Sequence, residues 1–180
     1  INDFLNLDLQ KEYFHYLKSF NLANDIITDK SLNIYFNLGF IKHFFPECKF
    51  IHCYRNAKDN CLSIYKNLFN DNVGWKYNEK DIIDYYYLYK DIMNFWNEKF
   101  NEDILNIKNE NLINDKNVII KNIIKYCDLD WDENCLHHQK NDAPIKTLSF
   151  NQANKPIYSS SINSSKNFEN YLKNMFDKLK

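Results

Sequence analysis

A run of six residues rich in aromatic and β-branched side chains, at positions 49–54, constrains the fold of this chain more than any other feature. A Pro-Glu pair lies shortly before the run, a polar segment follows it, and segments of helical periodicity lie on both sides. This pattern is typical of a buried strand between two helices. Arg55 comes directly after the run, so the sequence predicts a guanidinium at the carboxyl end of the strand.

Further elements follow from the same kind of pattern. Two short apolar runs predict strands at residues 26–28 and 104–107. Apolar residues spaced three and four positions apart predict helices over residues 8–20, 31–45, 58–69, 80–100 and 114–127. Ser31 is the expected N-cap of the second helix and Pro46 its stop. After Trp131 the chain becomes polar, and we expect a long loop that returns to an amphipathic terminal helix. The apolar face of this helix is predicted to consist of Phe168, Tyr171, Leu172, Met175 and Phe176.

The order of these elements predicts the fold class. Strands that alternate with helices along a chain form an α/β architecture, in which a parallel sheet is flanked by helices. Ligands of such sheets bind beyond the carboxyl ends of the strands. Arg55 is expected at one of these ends, which makes it the first candidate for a binding residue.

The composition argues against several classes of protein. Hydrophobic residues make up 44% of the 180 residues and aromatic residues 17%, unlike a disordered chain. The formal net charge of -1 gives no global field for nucleic acid or an anionic membrane surface, and no apolar stretch approaches the roughly 20 residues of a membrane span. The odd set of five cysteines contains no CxxC pair, which argues against a disulfide framework or a zinc site and favours a cytoplasmic protein.

Arg55 is the one arginine among 23 basic residues, so its position calls for a reason. A planar guanidinium grips a phosphate through two parallel hydrogen bonds, whereas an ammonium acts as a point charge. Residues 56–58 begin the next predicted helix, whose first N–H groups also favour an anion, and Ser63 lies one to two turns further on. From these residues alone, a structural arginine paired with a buried carboxylate remains an alternative to an anion site.

Residues 49–66, KFIHCYRNAKDNCLSIYK, resemble the 3'-phosphate segment of sulfotransferases that use 3'-phosphoadenosine 5'-phosphosulfate (PAPS). In both, a strand ends in Arg and a Ser follows eight residues later. The resemblance runs in order through residues 26–30, 131–132, 136–138 and 155–158. It is closest to bacterial sulfotransferases, often linked to TPR repeats, and to protein-tyrosine sulfotransferases.

The resemblance implies roles for individual residues. Arg55 and Ser63 would bind the 3'-phosphate of the donor, and Lys30 would be the catalytic lysine that contacts the transferring sulfuryl group or its bridging oxygen. Residues 159–166 resemble the loop that covers the donor nucleotide. Its donor-binding residues would be Asn163, Ser164 and Lys166. Relatives commonly have Gly and Trp at positions 163 and 165, and a tyrosine beside the adenine at position 109.

The family fold is the P-loop NTPase-like sulfotransferase fold. Its members transfer a sulfuryl group from PAPS, the co-substrate, to a hydroxyl of a protein tyrosine, a carbohydrate or a small molecule, and they need no metal. Residues 1–180 would form the C-terminal part of a single such domain. The N-terminal strand–loop–helix that holds the 5'-phosphosulfate would be missing from them, as would the general base. We therefore expect this segment alone not to transfer sulfate, and the full-length protein to carry an N-terminal TPR region.

Two other functions remain open from the sequence. One is a non-catalytic relative or fragment that keeps a surface for a nucleotide or a partner without turnover. The other is a P-loop kinase-type phosphotransferase, which would need Mg²⁺ and a site for the ATP triphosphate. Preference for a 3'-phosphorylated adenosine over ADP would separate the second of these from a sulfotransferase.

Overall fold

The structure of the chain, a computed structural model, describes residues 8–19, 26–67, 74–140 and 155–179. The α-helices of these residues are α1 (Leu9–Ser19), α2 (Leu38–Phe44), α3 (Ala57–Lys66), α4 (Glu79–Lys99), α5 (Asn109–Asn114), α6 (Lys116–Tyr126) and α7 (Lys173–Phe176). Short 3-10 helices lie at Ile34–Asn37, Gly74–Tyr77, Asn101–Asp103, Glu133–Leu136, His138–Lys140 and Ser164–Phe168. The helices predicted over 8–20, 58–69 and 80–100 correspond to α1, α3 and α4.

Two strands pair in parallel, as the alternation of elements predicted. Strand β1 is Phe50–Tyr54 and strand β2 is Ile104–Lys108, with Phe50 opposite Ile104 and Tyr54 opposite Lys108. Because the strands are parallel, both of their carboxyl ends lie at the same edge of the sheet. The chain leaves this edge through Arg55 after β1 and through Asn109 after β2.

The predicted strand at residues 26–28 is wrong. These residues belong to neither a strand nor a helix. Ile26 is 56% exposed and Ile27 is 37% exposed, so the run buries little of the apolar surface that would hold it in a sheet. A short apolar run forms a strand only when a neighbouring strand pairs with it.

Several predicted helix bounds also needed correction. The second helix starts later than Ser31, because residues 32–33 form a turn and the 3-10 helix at Ile34–Asn37 precedes α2. The helix predicted over 114–127 corresponds to α6, which begins at Lys116 because Asp115, with φ of -140° and ψ of 61°, separates it from α5. The terminal helix is reduced to the four residues of α7, and Tyr171, which was expected on its apolar face, is 82% exposed.

The chain divides into two compact units, one formed by Ile1–Cys48 with Ile92–Asn101 and the other by Lys49–Asp91 with Glu102–Lys180. The expectation of a single domain therefore stays a prediction. The second unit has a continuous apolar core drawn from α3, the first part of α4 and the C-terminal segment. Its buried residues are Cys61, Leu62, Ile82, Ile83, Leu172, Met175, Phe176 and Leu179. None of the helices described is both long enough and apolar enough to cross a membrane.

In the first unit, Gly39 of α2 packs directly against the indole of Trp96. A Cβ added at Gly39 would lie 2.6 Å from Cη2 of Trp96 and 2.9 Å from its Cζ3. The indole has little room to move, because its Nε1 donates to the Tyr35 carbonyl at 2.7 Å and its ring stacks on Phe100 at 5.4 Å. The absence of a side chain at Gly39 is what permits this close approach.

Replacing Gly39 by Ala is therefore expected to destabilise the protein. The gain in helix propensity is about 1 kcal/mol, whereas overpacking costs about 1–3 kcal/mol. With an overlap this close we expect a net loss of about 1–2 kcal/mol in the free energy of unfolding, measured by urea denaturation. Gly74→Ala is the matched control, since no atom of the described residues lies within 4 Å of its added Cβ. Equal midpoints for the two variants would contradict the packing of Gly39 on Trp96.

Candidate functional site

The candidate site begins at the junction between β1 and α3. Arg55 follows the last residue of β1, and Asn56 precedes the first residue of α3. Asn56 is a true N-cap, because its side-chain oxygen accepts the N–H of Asp59 at 3.2 Å. The position of Arg55 at the carboxyl end of a parallel strand confirms what the sequence predicted.

The guanidinium of Arg55 is only partly used by the protein. Its Nη2 donates to the backbone carbonyl of Asp59 at 2.9 Å, which holds the side chain against the first turn of α3. Its Nε is shielded from solvent and meets no hydrogen-bond acceptor among the described residues. A shielded donor without an acceptor is costly, so an arginine in this state is suited to an anion that supplies the missing oxygen.

Ser63 lies four residues after Asp59 in α3, so the two side chains project from the same face of the helix. The Ser63 side chain is half-buried, and its Oγ accepts from Nδ2 of Asn67 at 3.3 Å. A hydroxyl that accepts one hydrogen bond still has its own proton to donate. The expectation that Arg55 and Ser63 reach a common phosphate, with about 8 Å or less between their polar groups, stays a prediction.

Asp59 joins α3 to the loop that was predicted to cover the donor nucleotide. Its carboxylate accepts the backbone N–H of Asn163 at 2.7 Å and the backbone N–H of Ser165 at 2.8 Å. The hydroxyl of Ser164 donates to the same carboxylate at 3.3 Å. The predicted loop therefore lies against the same helix that follows Arg55, in the second unit.

The Asp59 carboxylate is held in its ionised form by this arrangement. Burial raises the pKa of the carboxyl, but the hydrogen bonds from Ser165, Asn163 and Ser164 outweigh the burial, so the pKa lies below its ordinary value of 3.8. A depressed pKa in the folded state means that the ionised carboxylate stabilises the fold above the unfolded pKa, and that this contribution is lost as the pH falls through the folded pKa. The loop contact is therefore present at neutral and mildly acidic pH.

Asn163 has a left-handed backbone, with φ of 58° and ψ of 20°. Glycine adopts this conformation most easily, and asparagine is among the few other residues that tolerate it. The glycine common at this position in the resembling family is thus replaced by a residue suited to the same turn. The turn directs the N–H groups of residues 163 and 165 to one carboxylate.

The chain after β2 meets the chain after β1 at the same edge of the sheet. Oε1 of Glu110 accepts the backbone N–H of Asn56 at 2.8 Å, while its Oε2 is shielded and has no hydrogen-bond donor within the described part of the chain. In a capping box, the acidic residue at the third helical position would accept the N–H of the N-cap residue. Here Glu110 accepts it instead, and Asp59 at the third position is available to the loop.

Lys30 and Lys166 belong to different compact units. Lys166 belongs to the loop next to Asp59, and its side chain is exposed. Lys30 belongs to the other compact unit, in an exposed segment, and the strand expected before it is not formed. The role of each lysine stays a prediction.

His52 of β1 is a titratable residue that the sequence analysis did not consider. Its ring nitrogens lie 2.6 Å from Oδ1 of Asn106 and 2.5 Å from the hydroxyl of Tyr89. Burial lowers the pKa of His52 and raises the pKa of Tyr89 to about 12. A neutral histidine held through both nitrogens fits a cross-strand structural pair better than a general base.

Asp59 and Glu110 are the site residues that the sequence reasoning missed. Asp59 carried a local signal, since an acidic residue three positions after an Asn N-cap is common at helix starts, but that signal predicts a capping role. Nothing in the spacing linked Asp59 to residue 163, which lies 104 positions later. Glu110 had no signal beyond its place just after a predicted strand.

The family to which the chain belongs follows from comparison with known proteins. The model of the sulfotransferase family matches residues 3–133, well over half of the chain, so the chain belongs to the sulfotransferase family. The α/β fold with a small parallel sheet agrees with the P-loop-like sulfotransferase fold that was predicted. The matched residues include Arg55 and Ser63, while the loop at residues 163–166 lies beyond them.

One relative is an uncharacterized protein of Aquifex aeolicus (strain VF5). It is 29% identical over 149 residues, which cover 81% of this chain and 20% of the relative. The chain thus spans about a fifth of the length of the curated relative that it matches.

Proposed function

We propose that the chain supplies the 3'-phosphate half of the donor site in a sulfotransferase that uses PAPS. The observation that carries the proposal is Arg55, which follows a parallel strand and has a shielded Nε without an acceptor among the described residues. Arg55 donates to the backbone carbonyl of Asp59, and the carboxylate of Asp59 binds the loop. Arg55 and Ser63 would donate to the 3'-phosphate, and Asn163, Ser164 and Lys166 would close the loop side of the same subsite.

The oxygen of an acceptor hydroxyl attacks the sulfur in line, the bond from sulfur to the bridging oxygen of the 5'-phosphate breaks, and adenosine 3',5'-bisphosphate leaves. The hydroxyl proton passes to a general base, for which no residue of this chain is proposed. The part of this chain in the reaction is to hold the nucleotide by its 3'-phosphate, so that the reacting groups meet in a fixed orientation. Lys30 is proposed to neutralise the charge that develops on the bridging oxygen. The acceptor is proposed to be a hydroxyl of a protein tyrosine, a carbohydrate or a small molecule. The full-length protein is proposed to be cytoplasmic and to carry an N-terminal TPR region.

Calorimetry on the natural full-length protein tests the donor assignment. Adenosine 3',5'-bisphosphate is expected to bind at least about tenfold more tightly than adenosine 5'-monophosphate, because the 3'-phosphate adds charge-assisted hydrogen bonds. The preference is expected without added metal. Equal affinities would contradict the assignment, and tighter binding of ADP with Mg²⁺ would favour a P-loop kinase-type phosphotransferase.

A transfer assay separates catalysis from binding alone. Labelled PAPS is incubated with the full-length protein and with tyrosine peptides or simple phenols, and label in the acceptor is counted. Binding of the bisphosphate without any transfer would favour the non-catalytic alternative. In the described residues no group of three His, Cys, Asp or Glu side chains is placed to hold a metal ion, so the assay includes an arm with EDTA and an arm with Mg²⁺.

A further inference from the structure

We propose that Asp59 is a positioning residue, which fixes the loop of residues 163–166 on α3 and so sets the place of Lys166 relative to Ser63 and Arg55. The proposal rests on the function proposed above, since it assumes that Arg55 and Ser63 bind the 3'-phosphate. Asp59 itself is not assigned any contact with the donor.

The side-chain carboxylate of Asp59 is buried and binds the loop through both of its oxygens. The residue is 3% exposed, and both carboxylate oxygens accept hydrogen bonds from the loop. A buried carboxylate is costly unless its oxygens are satisfied, and here backbone N–H groups and a hydroxyl satisfy them. Hydrogen bonds to a charged acceptor are about twice as strong as neutral ones, so the loop contact is a firm one.

One residue thereby connects three parts of the site. The backbone carbonyl of Asp59 accepts from the Arg55 guanidinium, its side chain holds the loop, and its helix position aligns it with Ser63 one turn later. A displacement of the Asp59 region would shift all three together. This makes Asp59 the residue on which the relative placement of the donor-binding groups depends.

These contacts separate the loop groups that anchor the loop from those that are proposed to bind the phosphate. The backbone N–H of Asn163 and the hydroxyl of Ser164 are directed to Asp59, so they hold the loop in place. Asn163 and Lys166 are exposed, and their side-chain amide and ammonium are the loop groups that we assign to the phosphate. An ammonium on a fixed loop loses less conformational freedom on binding than one on a free loop.

Asp59→Asn in the full-length protein is the central test. The variant keeps the shape of the side chain, but it loses the charge and places an NH₂ group against a backbone N–H donor. Two measurements are made. Hydrogen exchange follows the amides of Asn163 and Ser165, and calorimetry follows adenosine 3',5'-bisphosphate and adenosine 5'-monophosphate. Asp84→Asn is the matched control, because that carboxylate is exposed on α4 and pairs with Lys80.

We expect the Asp59→Asn variant to lose exchange protection at Asn163 and Ser165, to bind the bisphosphate about tenfold more weakly, and to bind the monophosphate as before. The Asp84→Asn control is expected to change none of these. Unchanged protection in Asp59→Asn would overturn the anchoring. Lost protection with unchanged bisphosphate affinity would overturn the positioning role.

A failure of the proposed function would be recognised separately. If the unmodified protein does not distinguish the bisphosphate from the monophosphate, the 3'-phosphate assignment is wrong, and the positioning role that rests on it falls with it. The exchange measurement would still decide whether Asp59 anchors the loop.

If Asp59→Asn does not fold, Ser164→Ala removes one of the loop contacts with less disturbance. It is expected to lower the exchange protection of Asn163 and Ser165 and to weaken bisphosphate binding about two- to threefold. Unchanged affinity, or weaker binding with unchanged protection, would count against the proposal.

Discussion

Replacing Arg55 by Lys is expected to weaken the binding of adenosine 3',5'-bisphosphate by roughly 10- to 100-fold, which is about 1.5–3 kcal/mol. Lysine keeps the positive charge but loses the planar set of donors. In the structure one of these donors is already used on the Asp59 carbonyl, while the shielded Nε has no acceptor in the part of the chain that the structure describes. A lysine ammonium cannot donate to the Asp59 carbonyl and also form two parallel hydrogen bonds to a phosphate.

The measurement is calorimetry on the full-length protein, with Lys58→Ala as the control. Lys58 lies in the first turn of α3, three residues from Arg55, and its Nζ lies 5.8 Å from the ring centre of Phe176. Removing this charge tests the general positive field near the site without touching the guanidinium. We expect less than about a threefold change for Lys58→Ala. If Arg55→Lys binds as tightly as the unmodified protein, Arg55 is not the phosphate ligand.

Replacing Leu62 by Ala is expected to lower the free energy of unfolding by about 2–5 kcal/mol. Leu62 is 1% exposed and lies in the core of the second unit, together with Ile82 and with Met175 of the C-terminal segment. Truncation removes buried methyl groups and leaves a cavity between elements far apart in sequence. Since Leu62 and Ser63 are adjacent in α3, the same substitution also tests how firmly the core supports the site.

Equilibrium denaturation in urea measures this loss. Leu88→Ala is the matched control, because Leu88 lies on α4 and is 47% exposed, so its truncation is expected to cost less than about 1 kcal/mol. Similar midpoints for the two variants would contradict the burial of Leu62. Leu62→Ala is expected to lower the midpoint of the urea transition without changing the slope of the free energy of unfolding against urea concentration. That result would show that stability has changed and that the compactness of the unfolded chain has not.

The sequence alone determined the local part of the site. The run before Arg55 predicted β1, helical spacing predicted α3, and the alternation of elements predicted a parallel sheet with Arg55 at its carboxyl edge. These features depend on neighbours within a few residues, where backbone geometry and the burial of one face dominate. The family resemblance assigned Ser63 to the 3'-phosphate, which stays a prediction. The match of the sulfotransferase family agrees with the resemblance.

Where local signals were weak, the sequence was a poor guide. The apolar run at residues 26–28 has the composition of a strand but stays exposed, since no described strand pairs with it. The C-terminal segment buries Leu172 and Met175 as its pattern predicted, yet only four residues of it form an α-helix. Whether an apolar run becomes a strand or a helix depended on the partners that packed against it.

Only the tertiary structure decided how the parts of the site meet. The contact of Asp59 with Asn163 joins residues 104 positions apart, and the contact of Asn56 with Glu110 joins residues 54 positions apart. Spacing and periodicity carry no information about such pairs, because a hydrogen bond between distant segments is set by where the sheet and helices place their ends. The physical reason is that a buried carboxylate must be satisfied by whichever donors the fold brings to it, and those donors are known only once the chain has folded.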